Sequence, residues 1–211
     1  MLKNSLKLKN EANTLLERIE IIKILSRYTN EYCFVGSYAN NTMVWRDIDI
    51  CFYLNETNIE KFFNLGCELA NLDGVCAMKF NNEFILNPNK PDGFYWGIDI
   101  IDKSNGELWK IDIKGVQLDT YIDIKRYTEE LITKLDFEIQ ELIVAVKNKL
   151  LIRDSRYNRY RTPHGSSFYI YDLIVNKEIR NINIVLKELK KFEPYDNVAI
   201  IARTNAELSE I

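Results

Sequence analysis

The run Asp47-Ile48-Asp49-Ile50-Cys51-Phe52-Tyr53 constrains this chain more than any other segment. Residues two apart on an extended strand share a face. Ile48, Ile50 and Phe52 therefore form one apolar face, with Asp47, Asp49 and Cys51 on the other. The alternation predicts a strand with one side in a core and two carboxylates next to each other on the opposite side. Such a pair repels itself, and burial raises the cost unless protons or a divalent cation neutralise it. Mg2+ takes oxygen ligands and commonly brings substrate phosphates with it, so it satisfies a pair of this kind.

Nine residues separate Val35-Gly36-Ser37 from Asp47. The apolar run Tyr32 to Val35 reads as a buried strand that runs into a turn at Gly36-Ser37. Gly36 permits close backbone approach, and the Ser37 hydroxyl with neighbouring N–H groups suits a phosphate oxygen. A phosphate cradle beside paired carboxylates is what metal-assisted nucleotidyl transfer requires. A third acid is expected on an adjacent strand, and two positions qualify: Asp112 in Trp109-Lys110-Ile111-Asp112-Ile113, and Asp99 in Gly97-Ile98-Asp99-Ile100.

The rest of the chain reads as follows. Asn10 to Thr29 places Leu15, Ile19 and Ile22 at helical spacing, and Thr57 to Leu72 carries a second amphipathic pattern closed by Asp73-Gly74. Val75 to Phe80 predicts a strand, and Asn81 to Gly93 a polar loop. Phe94 to Ile101 and Leu108 to Val116 predict a hairpin around Asn105-Gly106. From Tyr121 to Ile152 the chain has no Gly or Pro and is periodic, which predicts one long helix or two short ones. A basic, Tyr-bearing loop from Arg153 to Arg161 precedes helical spacing over Phe168 to Phe192. The expectation is a mixed α/β half over 1–118 and a helical half over 119–211.

Composition narrows the function classes. With 46% hydrophobic residues in 211, a core is affordable, and 28 Lys+Arg against 31 Asp+Glu leave a charge of −3 with no global field for nucleic acid or anionic membrane. A large nucleic-acid substrate is disfavoured on that ground. No apolar run approaches the ~20 residues of a membrane span, and the first residues lack a secretory core, so a cytoplasmic location is expected. Cys33, Cys51, Cys67 and Cys76 contain no C-x-x-C pair and read as structural thiols, and a single histidine, His164, excludes a histidine-based zinc site or a Ser-His-Asp triad.

The pattern h-G-S, nine residues, D-h-D-h and a later h-D-h strand resembles the DNA polymerase β-type nucleotidyltransferase superfamily, whose core is a small mixed sheet with flanking helices. Trp109 to Ile113 is similar to the third-acid strand of kanamycin-type antibiotic nucleotidyltransferases, which favours Asp112 over Asp99. The α/β half followed by a helical half is similar to those enzymes too. The resemblance implies a nucleoside triphosphate donor, ATP first, with Mg2+ and an acceptor hydroxyl. Gly36 and Ser37 would bind the triphosphate, and Asp47, Asp49 and Asp112 would be the catalytic, metal-holding acids. Members commonly carry a small polar residue before the first acid, where this chain has Arg46, which alternates away from Asp47.

Other residues carry weaker signals. Arg153, Arg156, Arg159 and Arg161 match phosphate geometry, although a solvated loop is the plainer reading. Lys147 and Lys149 can approach a triphosphate from the helical half, but read first as an exposed helix face. Glu138 or Glu141 are candidate general bases, His164 reads as a turn residue, and Trp96 and Trp109 as hairpin packing. The acceptor is expected to be a small molecule such as an aminoglycoside or lincosamide. A protein or tRNA acceptor, and a catalytically quiet nucleotide-binding relative, stay open, as does self-association.

Overall fold

Alternating apolar residues build a five-stranded sheet in the order β1-β2-β5-β4-β3. Its strands are β1 (Tyr32–Val35), β2 (Asp47–Tyr53), β3 (Val75–Asn82), β4 (Gly93–Asp102) and β5 (Glu107–Val116). The structure is a computed structural model that describes residues 1–55, 58–86, 93–154, 159–161 and 167–191, with the side chains of 152–154 and 159–161 excepted. Arg153, Arg156, Arg159, Arg161 and His164 thus lie outside the described side chains.

Strands β4 and β5 form the expected antiparallel hairpin, and β2 lies parallel to β5. Between β2 and β5 the chain makes α4 (Ile59–Ala70), β3, the short α5 (Glu83–Leu86) and β4. The short helix falls inside the expected polar loop. Asn58 caps α4 by accepting from the N–H groups of Glu60 and Lys61, so the helix begins where two of its free donors are satisfied.

One face of the sheet is the core. Ile48, Ile50 and Phe52 of β2 join Ile98 and Ile100 of β4 and Ile111 and Ile113 of β5, all but excluded from solvent. Helices α1 (Leu2–Ile19), α2 (Ile21–Leu25) and α4 cover this face. Phe62 of α4 stacks on Phe52 and Trp96, and the Trp96 indole donates to the Phe62 carbonyl at 3.1 Å. The absence of a Cβ at Gly66 lets that indole lie against α4. Trp96 and Trp109 both belong to this core.

The expected first helix differs at both ends. α1 begins at Leu2, because Leu2, Ser5 and Ala12 continue the buried stripe of Leu15, Leu16 and Ile19 toward the N-terminus. It stops at Glu20, whose φ of 51° is left-handed, and α2 starts anew from there. The segment after β5 also divides, into α6 (Leu118–Thr133) and α7 (Phe137–Leu150). Asp136 marks the break: its carboxylate accepts from the Ile139 N–H at 2.8 Å. Short acidic side chains compete for backbone donors in this way and favour helix starts over interiors.

Beyond α7, β6 (Ile152–Asp154) pairs with β7 (Arg159–Arg161). The helical spacing of the C-terminal stretch then resolves into α8 (Phe168–Tyr171), a π-helical turn over Asp172–Asn176 and α9 (Ile182–Leu189), which Asn181 caps. Ile143 and Val146 of α7 pack with Ile170, Ile174, Val185 and Leu189 in a second core. A third, smaller cluster lies on the far face of the sheet, where Tyr121 and Ile124 of α6 cover Cys51 and Val116. Among the described residues no helix is long and apolar enough to cross a membrane.

Candidate active site

The face of the sheet opposite the core carries the polar residues of β2, β5 and β4, and register fixes which of them meet. Asp47 lies beside Lys110, and Asp49 beside Asp112, in the parallel β2–β5 pair. The antiparallel hairpin extends both rows, Lys110 to Asp99 and Asp112 to Gly97. Val35 lies beside Asp49 on the other side, so β1 delivers Gly36 to the edge of the second row. Asp47, Asp49 and Asp112 are thereby brought onto one face. Asp99 shares that face but lies one strand further from β2, across Lys110 from Asp47.

Gly36 has a φ of +63°, and a Cβ there would stand 2.5 Å from Asp49 Oδ2. Only glycine combines that left-handed backbone with that closeness. The expected Gly-Ser turn is the first turn of a short helix, α3 (Gly36–Ala39), entered directly from β1.

Lys110 Nζ donates to Asp112 Oδ2 at 2.5 Å and lies 3.4 Å from Asp47 Oδ1. Tyr95 of β4 donates its hydroxyl to Asp112 Oδ1 at 2.7 Å. Its ring reaches across because Gly97 carries no Cβ, which would collide with the Tyr95 hydroxyl. Asp49 has neither a hydrogen bond nor an ion pair among the described residues. Burial, then the charges of Asp47 and Asp112, push its carboxyl well above the usual carboxylate range. Burial likewise raises Asp112, held back by Lys110 and Tyr95. Burial alone would lower the Lys110 ammonium, but the Asp47 and Asp112 charges overrule it and hold it above the usual lysine range.

The helical half contributes Lys147, against the expectation that it belongs to an exposed helix face. Lys147 is fully buried. Its Nζ donates to Ser37 Oγ at 2.5 Å and to the Thr42 carbonyl at 3.0 Å, and lies 5.2 Å from the Trp45 ring centroid. The spacing explains this, since Lys147 follows buried Ile143 by one helical turn. Thr42 is itself locked by a buried hydroxyl pair with Tyr171 at 2.6 Å. Lys149 is exposed, as are Glu138 and Glu141, and Glu138 falls on the side of α7 opposite Lys147 by helical spacing. Arg46 is turned away from the acids, paired with Glu11 at 3.0 Å and Glu107 at 3.3 Å.

Three carboxylates on one face supply the hard oxygen donors that Mg2+ takes. The unpartnered Asp49, aimed past a glycine that leaves it room, is the donor best placed to receive such an ion. As the side chains stand, no three acid, His or Cys groups among the described residues are close enough to hold a metal together. The Lys110 ammonium lies between Asp47 and Asp112. The donor set fits a divalent cation, with an internal cation already among its members.

No protein-family model and no curated protein sequence matches the chain. Solved structures do match it. The Cid1 poly(U) polymerase bound to Mg and 3'-dATP superposes with a TM-score of 0.50 at 16% identity, over 82% of this chain and 53% of the polymerase. The non-canonical poly(A) polymerase complex GLD-2–GLD-3 superposes with a TM-score of 0.47 at 15% identity, over 100% of this chain and 71% of that one. This chain spans about half the length of the poly(U) polymerase. The likeness is one of fold: a five-stranded mixed sheet with flanking helices, on one face of which Asp47, Asp49 and Asp112 lie.

Proposed function

We propose that this chain is a Mg2+-dependent nucleotidyltransferase that moves a nucleotide, AMP from ATP, onto a hydroxyl of an acceptor with release of pyrophosphate. The observation that carries the reading is the convergence of Asp47, Asp49 and Asp112 beside Gly36 and Ser37, with the buried Lys147 donating to Ser37. Asp47, Asp49 and Asp112 would hold the Mg2+, which when bound neutralises phosphate charge and lowers the pKa of a coordinated oxygen nucleophile. Ser37 and Lys147 bind the triphosphate: displacing the Lys147–Ser37 hydrogen bond frees a hydroxyl and a cation toward the same anion. Asp112, oriented by Tyr95 and Lys110, directs the acceptor hydroxyl in line with the α-phosphorus. Residues 1–118 carry the acids and 119–211 complete the cradle through Lys147.

The acceptor is a small hydroxylated molecule of the aminoglycoside or lincosamide class, which would make the activity one of antibiotic resistance. A charge of −3 without a basic excess supports that choice. A second reading, transfer to the 3'-hydroxyl of an RNA such as tRNA, is supported by the likeness to a poly(U) polymerase. The test is incubation with α-labelled ATP, CTP, GTP or UTP and Mg2+ against an antibiotic panel, total tRNA and cell lysate. Label on an antibiotic supports the first acceptor class and label on RNA the second. Failure to label any acceptor, with no triphosphate bound, overturns the assignment.

A further inference from the structure

Cys33 and Cys51 stand directly opposite each other where β1 pairs with β2. Both are free thiols, Cys51 buried and Cys33 half-buried, on the face of the sheet that carries the acids. The next pair along the same two strands and the same face is Val35 with Asp49, and Gly36 follows at once. A hydrogen bond from Cys51 and the charge of Lys125 draw the Cys33 thiol below its usual range, against burial and Glu129. A thiol beside a cation and partly open to solvent is a reactive one. Tyr121 and Ile124 of α6 close over Cys51, which leaves Cys33 as its neighbour across the strand pair. Register also sets the distance. The Tyr53 N–H donates to the Glu31 carbonyl at 2.9 Å, and the Leu54 N–H points the other way, to Val116 of β5. Odd-numbered residues of β2 thus turn their backbone groups toward β1, which makes Cys33 and Cys51 a hydrogen-bonded pair. Opposed Cα atoms of such a pair lie about 5.5 Å apart, inside the roughly 4.4–6.8 Å that a disulfide spans. Their Cβ atoms stand near the wide end of ~4.5–5.5 Å, whereas a disulfide holds them at ~3.5–4.5 Å. The bond is within reach, but only by drawing the two strands together by about 1 Å at this row.

We propose that Cys33 and Cys51 are a redox-reactive dithiol, which a hydroperoxide closes into a reversible intrachain disulfide that displaces Gly36 against Asp49 and shuts the site. With hydrogen peroxide, the Cys33 sulfur attacks one oxygen, the O–O bond breaks and water leaves, giving a sulfenic acid at Cys33. The Cys51 sulfur then attacks the Cys33 sulfur, the S–O bond breaks, and the hydroxyl leaves as a second water with the Cys51 proton. The two thiols lose two electrons and the peroxide gains them. Gly36 and Asp49 have no slack to absorb the movement, since even a Cβ on Gly36 would stand 2.5 Å from Asp49 Oδ2. A disulfide strained by its strand geometry is readily reduced, so the closure reverses. The effect on transfer rests on the nucleotidyltransferase reading above; the disulfide does not.

The test uses the full chain with the exposed Cys67→Ser and Cys76→Ser, which leaves Cys33 and Cys51 as its thiols. Hydrogen peroxide, without nucleotide or metal, is expected to remove both thiols from maleimide labelling and two hydrogens from the intact mass, with no dimer on a non-reducing gel. Reduced glutathione is expected to restore both thiols. Adding Cys51→Ser is expected to stop the reaction at a Cys33 sulfenic acid, which dimedone captures. Thiols that survive peroxide, a bond formed only between chains, or a disulfide that glutathione leaves closed overturn the proposal, and these counts stand even where Cys51→Ser fails to fold. Amide hydrogen exchange over α3, again without nucleotide, is expected to differ between the reduced and oxidised forms; unchanged exchange overturns the link to Gly36. Transfer from labelled ATP is expected to fall about tenfold or more on oxidation and to return on reduction. Full transfer by the oxidised chain overturns the closure of the site. A reduced chain that transfers nothing overturns the function proposed above, while the thiol count and the exchange still decide the pair.

Discussion

Gly36→Ala isolates the contact on which the phosphate cradle and Asp49 depend. The substitution imposes two separable penalties. A non-glycine residue at φ +63° costs about 1–2 kcal/mol of backbone strain. The added Cβ, 2.5 Å from Asp49 Oδ2, forces that carboxyl aside, an overpacking cost of about 1–3 kcal/mol. Gly106→Ala is the control, because Gly106 has a φ of +75° but nothing within 4 Å of an added Cβ. It pays the strain alone, less the ~0.4–1 kcal/mol gained by stiffening the unfolded chain. For a chain of this size each kcal/mol lowers Tm by about 2–4 °C. With the same gain subtracted, Gly36→Ala is therefore expected to melt roughly 2–18 °C below wild type, and Gly106→Ala within about 6 °C of it. Calorimetric melting gives both values, and the labelling assay is run alongside, where Gly36→Ala is expected to lose about 100-fold or more of its rate as Asp49 leaves its position. Equal melting of the two variants, together with full transfer by Gly36→Ala, would refute the claim that glycine is required by the closeness of Asp49.

Further expectations concern single residues. Asp49→Asn abolishes transfer and raises Tm, because burial and the neighbouring acids oppose the charge that the substitution removes; a lower Tm would show that the Asp49 carboxylate stabilises the fold. Lys147→Met weakens ATP binding about tenfold or more, as loss of a charge-assisted contact implies, and lowers Tm because Ser37 and the Thr42 carbonyl lose their donor. Titration calorimetry reads the first effect, and unchanged ATP affinity would remove Lys147 from the cradle. A double-mutant cycle on Thr42→Val and Tyr171→Phe should give a coupling of about 0.5–1.5 kcal/mol by denaturant unfolding; zero coupling means that the buried hydroxyl pair does not tie the loop to the helical half.

The strands were the legible part of this chain, for a physical reason. In Asp47 to Ile50 and Trp109 to Lys114 apolar and polar residues alternate without interruption, as they do in a half-buried strand. Parallel pairing of β2 with β5 leaves no such trace, because neither strand names its neighbour. The block formed by Asp47, Asp49, Lys110 and Asp112 is thus invisible until the register is known. Lys147 was misread for a related reason: beside Lys149 it looks like a solvated face, while its position one turn after Ile143 belongs to the buried stripe. Tyr95 could be found only through Gly97, whose missing side chain clears its path. The break at Glu20 carried no signal at all, since glutamate gives no hint of a left-handed backbone, whereas Asp136 is a cap that a closer reading of the long helical segment identifies.

The parallel neighbours β2 and β5 also set a timetable for synthesis. Asp47 leaves the ribosome 63 residues ahead of Lys110, so during translation β2 has β1 on one flank and an open hydrogen-bonding edge on the other. Charged side chains along such an edge discourage stray strands from adding to it. The acids of the mature pocket thus serve the nascent chain first as sentries, until β5 arrives with the lysine that relieves them.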